Sequence, residues 1–161
     1  MGLASHLGPW LLGTVKNTTG TTAGTIRNMG ATQSVQTGVT TVSDTTATTL
    51  FVLPAGSQIL DFTVDITTAY AGTTGNTITI ATSGGTTLGT VGGATTTPLS
   101  VGRATFTVTN ASIATYVNVG STDVLIQATY ACAGTASGGA ATVTCQYVVR
   151  QADGTYIPAS A

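Results

Sequence analysis

Thirty-eight of the 161 residues are threonine, while glutamate is absent and Lys16 is the only lysine. Threonine is β-branched, stiff at χ1 and well suited to a pleated surface. Leu, Glu, Lys and Ala at helical spacing, the alphabet of a helical bundle, is missing. Thr, Ala and Gly together fill 80 of the 161 positions. An all-β chain with glycine at its corners is the expectation.

Charge narrows the function classes. Charged residues make up 6% of the chain, against about 25% in an average soluble domain. Four bases against five acids give a net charge of −1, so the basic face of a nucleic-acid binder is lacking. His6 is the only histidine, which leaves serines without a triad partner and a metal site without a second imidazole. Ser83-Gly84-Gly85 and Gly92-Gly93 are glycine-rich, but no lysine follows as a phosphate cradle requires, so they read as turns. The expectation is a protein that is not an enzyme and needs no cofactor.

No stretch approaches the ~18 apolar residues of a membrane span. The opening MGLASHLGPWLLG has no basic n-region and does not read as a signal peptide. Synthesis in a cytosol, with no membrane partner, is the expectation.

A period of two begins near residue 35. Phe62, Val64 and Ile66 face one way, and Asp61, Thr63, Asp65 and Thr67 the other. Leu50 to Leu53 reads as a strand ended by Pro54-Ala55-Gly56. Further strands are expected at 76–81, at 86–91 and along Ala104, Phe106 and Val108. Others are expected at Tyr116 to Val119, Val124 to Cys132 and Ala141 to Val149. Asp153-Gly154 reads as a last hairpin turn. About eight strands with glycine-rich turns specify an antiparallel β-sandwich, jelly-roll-like. The sandwich is assigned to 35–161.

Cys132 and Cys145 flank Gly138-Gly139. A two-residue turn there sets the cysteines directly opposite each other on a hairpin, as a cross-strand disulfide or as packed thiols. A cytosolic origin favours thiols.

Residues 1–34 lack a sustained period and read as an extended N-terminal docking arm. One motif echoes itself: Gly13-Thr14-Val15-Lys16-Asn17 returns as Gly24-Thr25-Ile26-Arg27-Asn28. The first acid is Asp44, so Lys16 and Arg27 are unopposed on the arm. Trp10, Leu11 and Leu12 form an apolar anchor that calls for burial.

Other candidates carry less. Asp61 and Asp65 share a face but stand about 13 Å apart by strand rise, too far for a retaining carboxylate pair; a Ca²⁺ role would need loop carbonyls. Arg103 and Arg150 are candidates to pair with Asp123 or Asp153 across an interface. The Thr-x-Thr runs have no fixed period, which argues against an ice-binding solenoid. A threonine surface holds its strands and satisfies water without charge. With few charged or proline guards on the edges, it calls for cover by neighbours. A homo-oligomer with closed cyclic symmetry, a trimer before a dimer, is expected.

The segment GPWLLGTVKNTTGTTAGTIRNMGATQ resembles the N-terminal part of small structural proteins of tailed bacteriophages, particularly marine ones. Leu53 to Tyr70, LPAGSQILDFTVDITTAY, resembles a β-sandwich motif of such virion proteins. The resemblance covers about 45 residues and rests on turns and strands, not chemistry. It implies a capsid decoration (cement) or minor head protein on the capsid surface, made in the host cytoplasm. Its partners would be the major capsid protein and its own copies. The competing reading is a surface-exposed receptor- or glycan-binding module, such as a head fibre or adhesin, using Tyr70, Tyr116 or Tyr156 on loops.

Overall fold

The alternation that begins at Ser57 builds the longest strand. A computed structural model describes residues 33–71, 74–93 and 98–149. Its strands are β1 (Gln33–Thr41), β2 (Thr48–Leu53), β3 (Ser57–Thr68), β4 (Thr74–Thr82), β5 (Thr87–Gly92), β6 (Gly102–Ala104), β7 (Phe106–Val108), β8 (Val124–Ala133) and β9 (Ala140–Val149). A short helix, α1 (Ile113–Val117), precedes β8. No helix among the described residues is long and apolar enough to cross a membrane.

Two antiparallel sheets face each other, one in the order β1-β9-β3-β6 and the other β2-β8-β4-β5-β7. The chain passes repeatedly from one sheet to the other, which is the jelly-roll path. The long strands supply one apolar face each to the layer between the sheets. Phe62, Val64 and Ile66 of β3 and Val143, Cys145 and Tyr147 of β9 meet Ile78 and Ile80 of β4 and Ile126, Ala128 and Tyr130 of β8. The all-β sandwich read from the sequence is therefore the observed fold.

Tyr70 closes one end of that layer. It is fully buried, its hydroxyl donates to Thr40 O at 2.9 Å, and its ring lies 4.8 Å from that of Tyr130. The Tyr130 hydroxyl donates in turn to Asn76 Oδ1 at 2.5 Å. Three connections converge on this pair. Val42 N–H donates to Gly139 O at 3.1 Å, Ala71 N–H to Gly138 O at 3.2 Å, and Tyr70 N–H to Leu99 O at 3.1 Å. At the opposite end Gln33 pairs with Val148 and Ser57 with Val149. The chain therefore enters β1 and leaves β9 at the same end.

Three expected elements are corrected. Gly138-Gly139 is not a two-residue hairpin turn: residues 134–139 carry the chain from the five-stranded to the four-stranded sheet. Each strand's apolar face must meet the opposite layer, and a hairpin would put both strands in one sheet. Ala104, Phe106 and Val108 do not form one strand. Ala104 pairs with Val64 in one sheet and Phe106 with Val91 in the other. Phe106 holds this corner, its ring 5.4 Å from Phe62 and lying over Gly89, where any Cβ would come within 2.4 Å of Phe106 Cζ. Tyr116 lies on α1, not on a strand, and sets its ring edge-on to Phe62 at 6.1 Å. The chain from β7 to β8 crosses the sandwich end there, and Val119 N–H donates to Ser57 O at 2.9 Å.

Gly139 has φ +154, and a Cβ on it would fall 2.2 Å from Tyr70 Cδ1. Gly139→Ala is expected to lower unfolding free energy by about 2–4 kcal/mol, the scale of overpacking plus backbone strain. Urea unfolding checks this, and a loss below about 0.5 kcal/mol, the level of a neutral surface change, would show that the Tyr70 contact yields freely.

Candidate interaction surface

The inner half of each strand is used by the core, so the outer faces are what the fold offers to others. On the four-stranded sheet the register sets three rows across the outer face. Val35, Gln146 and Asp61 form one; Thr37, Thr144 and Thr63 form the next; Val39, Thr142, Asp65 and Arg103 form the third. Gln33 Nε2 donates to Gln146 Oε1 at 2.6 Å along the same face. The β1 and β9 side of this face thus carries only Val, Thr and Gln. Such a surface can be desolvated without stripping water from a charge.

The charges gather at the β3 and β6 side. Arg103 grips Asp65 with two bonds, Nε to Oδ1 at 3.0 Å and Nη2 to Oδ2 at 3.2 Å. That guanidinium holds the Asp65 carboxyl below the usual range. Both groups are exposed, so solvent screens the pair. Within the chain Arg103 thus has Asp65 as its partner; Asp153, one of the acids considered for a pairing across an interface, lies outside the described residues. The strand of Arg103 lies beside β3, and Asp65 is its cross-strand partner. Asp123 instead accepts the Ala55 N–H at 2.9 Å. It borders a shallow groove of about 310 Å³ formed with Thr82, Ser83, Thr115 and Thr122. Among the described residues no three His, Cys, Asp or Glu stand together as a metal cage.

Asp44 closes β1 and was not singled out by the sequence. It accepts the Thr41 N–H at 2.6 Å and the Thr40 hydroxyl at 3.1 Å. Burial alone would raise its carboxyl. The Thr41 amide and the hydroxyls of Thr48, Thr40 and Thr41 outweigh burial and hold it below the ordinary 3.8. An acid three or four residues after paired threonines was the available signal.

Trp10, Leu11, Leu12, Val15, Lys16, Ile26 and Arg27 lie outside the described residues, as do His6, Arg150, Asp153 and Tyr156. Cys132 and Cys145 are brought to different sheets. Cys145 sits opposite Phe62 and Gln36, five residues and about 16 Å into β9 by strand rise, while Cys132 stands next to the last residue of β8 with Sγ 3.1 Å from Gly134 O. Both are free thiols. Burial, with a contribution from Asp61, pushes the Cys145 thiol up to about 12. Of the aromatics proposed for glycan contact, Tyr70 is fully buried and Tyr116 packs on the core, so neither offers a loop platform.

No protein-family model matches this chain, and no curated protein matches it. Solved structures do. A chain of the cyanophage Pam1 capsid asymmetric unit aligns with a TM-score of 0.52 at 18% identity, covering 76% of this chain and 89% of that one. A chain of the acidic stable capsid structure of Helicobacter pylori bacteriophage KHP30 aligns with a TM-score of 0.49 at 9% identity, covering 73% and 87%. At 18% identity the Pam1 likeness shows the fold.

Two expectations follow. Thiol reagent at pH 8 should label native protein at Cys132 and reach Cys145 only on unfolding; equal labelling by mass spectrometry would contradict the buried placement. Folding favours the charged form of Asp44, so its contribution is full above the unfolded carboxyl value and fades as pH falls through the lower folded one. Asp44→Asn should therefore cost about 1 kcal/mol at pH 7, after screening. In urea titrations the two proteins should converge in stability below pH 3.8.

Proposed function

We propose that this chain is a virion structural protein that decorates and cements a bacteriophage capsid shell. The observation that carries the reading is a jelly roll whose outer face along β1 and β9 is clothed in Thr, Val and Gln. The fold it shares with a chain of the Pam1 capsid supports it. The chemistry is non-covalent. Residues 1–32 act as the docking arm on the major capsid protein, since Gln33 and Ser34 of the expected arm already belong to β1, with Trp10, Leu11 and Leu12 as apolar anchors and Lys16 and Arg27 facing acids of the shell. Buried apolar area contributes about 25 cal/mol per Å², so a broad contact with few charges holds a shell. Copies of the sandwich associate around a local symmetry axis on the capsid surface. No step calls for a cofactor, a nucleic acid or a membrane.

Deleting residues 1–32, which stops short of β1, should leave a cooperatively folded domain that no longer co-sediments with capsids. Undiminished co-sedimentation of the truncated protein would overturn the arm. Quantitative mass spectrometry of virions carrying this chain should find hundreds of copies; a dozen or fewer would place it at a tail or vertex instead.

A further inference from the structure

β1 has a side that no described strand occupies. It lies at the margin of its sheet and, among the described residues, pairs only with β9. In an antiparallel ladder, alternate residues turn their N–H and C=O to the same neighbour. Val42 N–H donates to Gly139 O at 3.1 Å, continuing the β1–β9 register. Even-numbered residues of β1 therefore bond to β9, and odd-numbered ones turn away. Thr41 agrees: its N–H goes to the Asp44 carboxylate, not to β9. The main chain of Gln33, Val35, Thr37 and Val39 is left facing outward at the margin.

The same residues carry exposed side chains. Val35 is 56% and Val39 60% exposed, high for β-branched apolar residues on a strand. β1 contains no charge and no proline, the usual guards of an edge. The sequence around Thr37 is also self-complementary, with Val35 and Val39 two places on either side. Lay a second β1 antiparallel to the first with a twofold axis at Thr37. Thr37 then meets Thr37, and each Val35 meets the other copy's Val39. All three positions are odd, so every pair is of the closely bonded kind, giving six main-chain hydrogen bonds by geometry. Two Val–Val cross-strand contacts flank a Thr–Thr contact. A shift of one residue sets odd positions against even ones, whose main chain already serves β9. A shift of two sets valine against threonine.

We propose that two copies of this chain join edge to edge through β1, with the twofold axis at Thr37, in one continuous eight-stranded sheet. An isologous contact of this kind needs no second type of partner. It concerns how copies meet each other, so it stands apart from the capsid reading and does not depend on it.

Cysteine cross-linking in the full chain tests the register. At a closely bonded pair the Cα atoms stand about 5.5 Å apart, within disulfide reach. Thr37→Cys should give a reducible dimer under mild oxidation at least about tenfold faster than Val35→Cys or wild type, because residue 35 lies about 13 Å along the strand from its own copy. A mixture of Val35→Cys and Val39→Cys proteins should cross-link to each other. Thr37→Pro removes an N–H that β9 does not use. It should weaken dimerisation by about tenfold in sedimentation equilibrium with circular dichroism unchanged. Equal cross-linking of Thr37→Cys and Val35→Cys, or a wild-type monomer at every concentration, overturns the proposal. A monomer whose Thr37 amide resists hydrogen exchange also overturns it, and assigns the edge to residues 1–32 of the same chain.

Discussion

Everything in this structure depends on one constraint: the long strands β3, β4, β8 and β9 each have one predominantly apolar face, and that face must be turned toward the other sheet. Val64, Ile78, Ile80, Ile126 and Val143 are completely withdrawn from solvent because two sheets supply the walls. The chain has to change sheets again and again to satisfy this. Each change of sheet leaves main-chain polar groups that need partners. Tyr70 and Tyr130 answer for one end. Their rings fill the gap between the layers, and their hydroxyls satisfy Thr40 O and Asn76 Oδ1. Burial pushes the Tyr70 hydroxyl up to about 12, so it stays a neutral donor at any physiological pH.

The surface follows from the same division. On the four-stranded sheet the outer face is then mostly threonine, valine and glutamine, with Asp61, Asp65 and Arg103 at one side. Hydroxyls keep such a face hydrated at little cost and release that water readily when another protein covers it. Gln36 shows how the sandwich protects itself where a sheet ends. Its amide donates to Val52 O at 2.7 Å and to the Tyr147 hydroxyl at 2.8 Å, bridging the two sheets inside the β1 margin. Nothing equivalent covers the outer side of β1 among the described residues.

Much of this was legible beforehand. The strand from Ile59 to Thr67 announces itself because its period matches its half-burial, and β2, β4, β8 and β9 do so for the same reason. The places where local reading failed share a cause. Gly138-Gly139 has the composition of a tight turn, but its partners are Val42 and Ala71, distant in the chain. Phe106 continues the phase of Ala104, yet it leaves that sheet to pack on Phe62 and Gly89. Tyr116 sits in a β-rich dipeptide context and is helical because the end of the core needs its ring. The Arg103–Asp65 pair was missed because register across strands brings it together, whereas Asp44 was missed although Thr40 and Thr41 stand only four and three residues before it.

The amino-acid order alone determined the class of the fold, the inward and outward halves of the strands, and the uncharged character of the surface. These depend on side-chain chemistry repeated every second residue, which any strand displays without knowing its neighbours. Tertiary structure alone decided which sheet each strand joins, where Cys132 and Cys145 lie, and which strands stand at the sheet margins among the described residues. Those are outcomes of packing two layers around one core, and packing compares residues that the chain keeps far apart.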